Sequence, residues 1–180
     1  MICPSTPFAF ARPCSNTLGG VAEVYVANPA DLYPNVVIDV GAGTANFSGV
    51  TGTPFYKWEV AENTGSLEAA AQVNLENGSS FFQNVLTAVL NGFAAETAGA
   101  NLLQRLGRVA VIAKLRNGKA YYVGALSSAG TGTVDGAKLT GLQISSGTQR
   151  ADGNRATVTF THESPYPPLR AINFESKINA

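Results

Sequence analysis

The chain has 180 residues, of which 45% are apolar and only 13% charged, with a formal net charge of zero and 19 glycines. This length fits one domain with a real core. The charged share is about half the usual quarter, which implies a surface of neutral polar groups or groups buried against partners, and the lack of a basic run argues against gripping nucleic acid through its phosphates.

Residues 1–18 read as an irregular arm. Pro4, Pro7 and Pro13 oppose helix and ladder bonding, while Phe8 and Phe10 supply apolar anchors. The first residues carry no basic stretch leading into an apolar one, so no secretory leader is expected. No apolar run approaches the length of a bilayer span. Synthesis in a cytoplasm follows, with Cys3 and Cys14 reduced; a disulfide tying down the arm is the lesser alternative. Two thiols and the distant His162 make no metal ligand set, and no cofactor motif is present.

Gly19-Gly20 leads into a strand over Val21–Val26, ended by Asn28-Pro29, and Asn35–Val40 reads as another. Gly41–Gly52 has the composition of a loop, and Phe55–Val60 alternates as a strand. The next stretch, Gly65–Asn91, predicts one long hairpin. Leu67, Ala69, Ala71, Val73 and Leu75 alternate with Glu68, Ala70, Gln72, Asn74 and Glu76. Asn77-Gly78 supplies the positive-φ pair of a tight turn, and the return arm runs from Phe81 to Leu90. The first set is expected to face the core and the second to stay wet. So long a hairpin has edges that must pair with this chain or with another copy.

Phe93–Gly107 is rich in Ala and Leu, with Glu96 near its start and Arg105 near its end, and predicts the one flanking helix. Arg108–Leu115 and Lys119–Leu126 form a second hairpin around Asn117-Gly118. Lys138–Ser145 and Arg155–His162 are two more alternating strands, and Glu163–Pro168 stops the sheet. Leu169, Ile172 and Phe174 mark a tail that docks. The expected organisation is an arm at 1–18, a domain at 19–168 and a tail at 169–180. Its fold class is mostly β: an antiparallel β-sandwich or barrel of about eight strands with one flanking α-helix and a long hairpin.

Catalytic chemistry is not expected. His162 is the one histidine and stands beside Glu163 with no nucleophile of known context, which fits a surface or core residue better than a base. No Gly-x-Ser-x-Gly elbow occurs, and Gly41-Ala-Gly43 is followed by no helix pattern. Glu59 and Glu62 flank a strand end; Glu68 and Glu76 lie too far apart along one strand face to act together. Phe55, Tyr56, Trp58, Phe81, Phe82, Tyr121 and Tyr122 lack interleaved basic residues and suit a core or a subunit contact.

The order of the segments is more specific than any one of them. Cys14-Ser-Asn-Thr-Leu-Gly-Gly20 precedes the first strand, and Phe55-Tyr-Lys-Trp-Glu precedes Leu67. Val73-Asn-Leu-Glu-Asn-Gly78, Phe81-Phe82 and Val89-Leu-Asn91 follow, then Leu106 with Val109-Ala-Val-Ile, and Asn117-Gly-Lys-Ala-Tyr-Tyr122. Last come Asp152-Gly-Asn-Arg-Ala-Thr-Val-Thr-Phe160 and the Glu-Ser-Pro-Tyr-Pro exit. In this collinear order the chain resembles the tail tube (major tail) proteins of long-tailed bacteriophages, in particular a group from phages of Bacteroidetes. The positions Ala120-Tyr121-Tyr122 and the Gly-rich Ser127–Gly136 depart from that pattern.

The resemblance implies a sandwich domain with a flanking helix, related in fold to type VI secretion tube proteins, that assembles into sixfold rings. The rings stack into a hollow tube in the virion tail, assembled in the host cytoplasm, and long hairpins join into one barrel around a channel through which DNA passes at ejection. Partners would be other copies, further tail proteins at the tube ends and genomic DNA passing without specific binding; no membrane is involved. Glu68, Gln72, Asn74 and Glu76 are expected to line the lumen, and either the arm at 1–18, with Phe8 and Phe10, or the loop at 41–52 to touch the next ring. Two other classes fit parts of the pattern: a neck, terminator or head-decoration protein, and a carbohydrate- or surface-binding β module.

Overall fold

The computed structural model describes residues 19–32, 35–73, 78, 80–91, 107–124, 136–145 and 155–179. The arm with Cys3, Phe8, Phe10 and Cys14 lies outside them, as do Asn74, Leu75 and Glu76 and all of the expected helix before Gly107.

In chain order the elements are β1 (Val21–Ala27), α1 (Pro29–Leu32), β2 (Val37–Asp39), β3 (Thr44–Asn46), β4 (Phe55–Glu59), β5 (Ser66–Val73) and β6 (Ser80–Asn91). Then follow β7 (Ala110–Leu115), β8 (Ala120–Val123), β9 (Lys138–Ser145), β10 (Arg155–Ser164), β11 (Leu169–Ile172), a 3-10 turn at Glu175–Lys177 and β12 (Ile178–Asn179). They form a β-sandwich of two sheets. One has eight strands in the order β12-β4-β1-β7-β8-β11-β3-β2; the other has four, in the order β5-β6-β10-β9.

At its centre the eight-stranded sheet is buried on both faces, so β1 and β7 read as largely apolar runs. On β1, Tyr25 and Ala27 point into one core, and Val24 and Val26 into the other. On β7, Ala110 and Ile112 take the first side, and Val111 and Ala113 the second. Around the first core the sheet curls. Phe47, just after β3, meets Phe55 of β4 edge-on at 5.4 Å, although four strands stand between β3 and β4 in the sheet order. Phe47 also meets Tyr122 at 5.1 Å. Such edge-to-face pairs add to the burial of the rings themselves.

The second core joins the two sheets. Leu86, Ala88 and Leu90 of β6 and Ala156, Val158 and Phe160 of β10 pack against Val24, Val26 and Val111. Alternation along β10 is regular: every second residue from Ala156 to Ser164 is buried. The four-stranded sheet thus stands with one face fixed to the body of the domain and the other turned outward.

Three segments differ from their sequence reading. The Asn28-Pro29 strand end opens a four-residue helix, whose start is capped by the Asn28 Oδ1 accepting the Ala30 N–H at 3.1 Å. The stretch read as a loop, Gly41–Gly52, contains β3. The docking tail is itself a strand: β11 runs parallel to β3 and antiparallel to β8, with Leu169, Ala171 and Phe174 in the first core.

Glu23 ties three strands together. Its carboxylate accepts from Lys57 at 2.8 Å and from the Tyr25 hydroxyl at 2.6 Å, with Lys114 at 3.5 Å. Partial burial pushes its pKa up, but the Lys57 and Tyr25 hydrogen bonds and the two lysine charges prevail and hold it near about 2. Folded Glu23 therefore ionises more readily than in the unfolded chain. Its stabilising effect is complete above the ordinary value of 4.5 and is lost as pH falls from there through about 2. Unfolding midpoints measured across that window should fall more steeply for the native chain than for Glu23→Gln. Phe160→Ala should lower stability by about 3–5 kcal/mol in a denaturant titration, because the ring is fully buried between the sheets.

Candidate functional site: a sheet with two open edges

In the four-stranded sheet β5 pairs β6, β6 pairs β10 and β10 pairs β9, all antiparallel. The edge strands β5 and β9 each have eight residues and run in opposite directions. Among the described residues no strand pairs the outer edge of either. From Glu68 to Val73 every residue of β5 is exposed, as are Gln143, Ile144 and Ser145 of β9. Only the bases are anchored: Gly65 bridges to Val21, and Ala137 to Val109. Gly65 fits there because a Cβ would come within 2.8 Å of the Val21 Cβ.

Register sorts the side chains onto two faces. Ser66, Glu68, Ala70 and Gln72 stand opposite Thr87, Val85, Gln83 and Phe81, on the face turned away from the core. Thr157, Thr159 and Thr161 of β10 continue it, and the Thr140 hydroxyl lies 2.9 Å from that of Thr161. The charged groups on this face are Glu68, Glu163, Arg155 and Lys138, two of each sign. The result is a hydroxyl- and amide-rich surface with its charges balanced. Of the lumen candidates, Glu68 and Gln72 lie on it, four residues apart on one strand; Asn74 and Glu76 fall outside the described residues. The threonines were not singled out from the sequence, although the Thr-x-Thr-x-Thr alternation at 157–161 carried the signal.

The other face needs a correction. Leu67 packs against the second core as expected, but Ala69, Ala71 and Val73 are exposed, Val73 to 62%. The alternation is right and the burial is not, because β5, at the edge of the sheet, runs past the cover that keeps Asn84 of β6 and His162 of β10 buried. Where it does so, Ala69 faces Asn84, which faces His162 across the sheet. Asn84 is 2% exposed and its Oδ1 accepts no hydrogen bond.

His162 is a core residue at 5% exposure. Burial, and then the charge of Arg108, pull its pKa down to about 4 against the opposing pull of Glu163, so it stays neutral at physiological pH. It lines a cleft of about 490 Å³ with Gln83, Arg108, Gly136, Lys138, Thr140, Thr161 and Glu163, where β9 stops and β10 continues. Among the described residues the lining of the cleft carries one carboxylate, that of Glu163, and no cysteine. Among the described residues no group of three or more His, Cys, Asp and Glu is placed to hold a metal, and no helix is long and apolar enough to cross a membrane.

Comparison of the chain with protein-family models, with curated proteins and with solved structures finds no match in any of the three.

Because the folded His162 is harder to protonate than the unfolded one, its environment favours the fold fully above pH 6.5, and that preference is lost as pH falls from 6.5 through about 4. Thermal unfolding at pH 7.5 and pH 5 should show a drop in Tm for the native chain that is smaller in His162→Gln.

Proposed function

We propose that this chain is a structural subunit that polymerises through its four-stranded sheet, as the tail tube protein of a long-tailed bacteriophage. The observation that carries the reading is the sheet itself: two eight-residue edge strands that no strand among the described residues pairs, one face packed on the body of the domain, and a mostly polar outer face of balanced charge. Exposed edges of this length invite added strands and are blunted in proteins that remain monomeric. A ring in which each copy lends one edge to the next leaves no edge free.

In such a ring the outer face becomes the inner wall. Threonine and glutamine side chains keep that wall wet, and the balance of Glu68 and Glu163 against Lys138 and Arg155 offers a passing duplex no net counter-charge to hold it. DNA slides over such a surface without counterion release, which suits ejection better than a basic channel would. Six copies per ring, stacking of rings through the 1–18 arm with Phe8 and Phe10, and capping proteins at the tube ends complete the reading. The collinear resemblance described above supplies these parts.

Negative-stain electron microscopy of the purified protein should show hollow tubes or stacked rings. Single rings that do not stack would move the assignment to a neck, terminator or decoration protein, and a monomer at every concentration would contradict it. In virions carrying Glu68→Lys with Glu76→Lys, tubes should still assemble and genome ejection should slow; normal ejection would remove the lumen assignment.

A further inference from the structure

The faces and lengths of the two edge strands specify more than the fact of assembly. We infer that β5 of one copy pairs antiparallel with β9 of the next in a single register, Ser66 opposite Ser145, with the β9 bulge at Thr140 kept. This inference rests on the reading that the occupant of each edge is a second copy of the chain.

Three independent features select that register. The first is side-chain parity. With Ser66 opposite Ser145, Glu68 meets Gln143, Ala70 meets Gly141 and Gln72 meets Lys138, all on the polar face. Leu67 then meets Ile144, Ala69 meets Leu142 and Ala71 meets Leu139 on the apolar face. The bulge, where pairing to β10 jumps from Gly141 to Leu139, is what keeps the last two pairs in phase. A slip of one residue would set Glu68 against Leu142 and turn every apolar partner to water.

The second feature is the apolar surface each edge leaves exposed. Ile144 is 54% exposed and in this register lies opposite Leu67 and diagonal to exposed Ala69, while exposed Ala71 lies opposite Leu139. No neighbour within the described residues covers them, whereas the opposed strand covers each of them across the proposed junction. A twofold pairing of β5 with β5 would leave Ile144 in water and both β9 edges open.

The third is the stagger already present inside one copy. Glu68 is level with Val85, Val85 with Thr161, and Thr161 with Lys138. In the proposed junction Lys138 stands opposite Gln72 of the next copy, so each copy climbs by the four residues that separate Glu68 from Gln72 over four strands. At about 3.3 Å per residue and about 4.8 Å between strands, that is a tilt of about 35°. A slip of two residues one way keeps parity but gives about 19°, outside the about 35° to 45° of closed barrels; the slip the other way gives about 46°, at their upper limit, but leaves Ser66 and Leu67 beyond the end of β9. Six copies joined this way form a closed sheet about 45 Å across between backbones.

Single cysteines test the register on a Cys3→Ser, Cys14→Ser background. Chains carrying Glu68→Cys are mixed with chains carrying Gln143→Cys, assembled under reducing conditions, checked for rings by electron microscopy, and then oxidised. Directly opposed strand positions lie within disulfide reach, whereas positions two residues off do not. The expected result is that about half of the chains, the share that random mixing in a ring allows, migrate as mixed 68–143 dimers, while Glu68→Cys with Ser145→Cys gives few. Rings without 68–143 links, or with 68–68 links instead, would overturn the register and leave the assembly reading intact. Chains that fold but never form rings would remove the assembly reading, and the register with it.

Discussion

Among the described residues no strand pairs the outer edge of β5 or of β9, and most of the rest of the fold explains how those edges are held in place. A strand edge is the one surface of a protein that recognises another chain before any side chain is considered. Here two such edges flank a sheet that cannot bend out of the way. Leu86, Leu90, Val158 and Phe160 bolt it to the eight-stranded sheet, and that sheet is stiffened from behind by the ring cluster of Phe47, Phe55 and Tyr122. The pairing surfaces are therefore fixed in relative position by two cores, which is what a repeating structure requires of its unit.

The overhang of the hairpin follows the same logic. A strand made of Ala69, Ala70 and Ala71 with exposed Val73 gains little from its own subunit, since it rests on no core. Small side chains on both faces instead let another backbone approach closely. The outer face is mostly polar, with threonines and glutamines on all four strands and charges that cancel, although Phe81, Val85 and Val89 of β6 also lie on it. In the proposed assembly one side of the ribbon is covered by a neighbour and the other stays wet.

Much of this was readable in the sequence. The alternation of Leu67 to Val73, the Asn117-Gly118 reversal and the runs at Phe55, Lys138 and Arg155 declare their strands through period and turn chemistry, both local properties. Which residues are buried was less readable. Ala69 and Ala71 fit an inward face by pattern alone, and only the position of the second core shows that they lie beyond it. The strands that the sequence does not announce, Thr44–Asn46, Leu169–Ile172 and Ile178–Asn179, are short and pair in parallel with distant segments. Nothing within three or four residues can announce a partner that far away. His162 likewise shows its burial only once Asn84 is seen across the sheet from it.

Hydrogen exchange resolved along the chain is the most direct measure of whether edges join. Compared with dissociated subunits, the assembled protein should show strong new protection in both Ser66–Val73 and Lys138–Ser145, while amides of Ala110–Ile112, already buried inside a sheet, should change little. Assemblies in which both edge strands exchange as fast as they do in the free subunit would contradict the account.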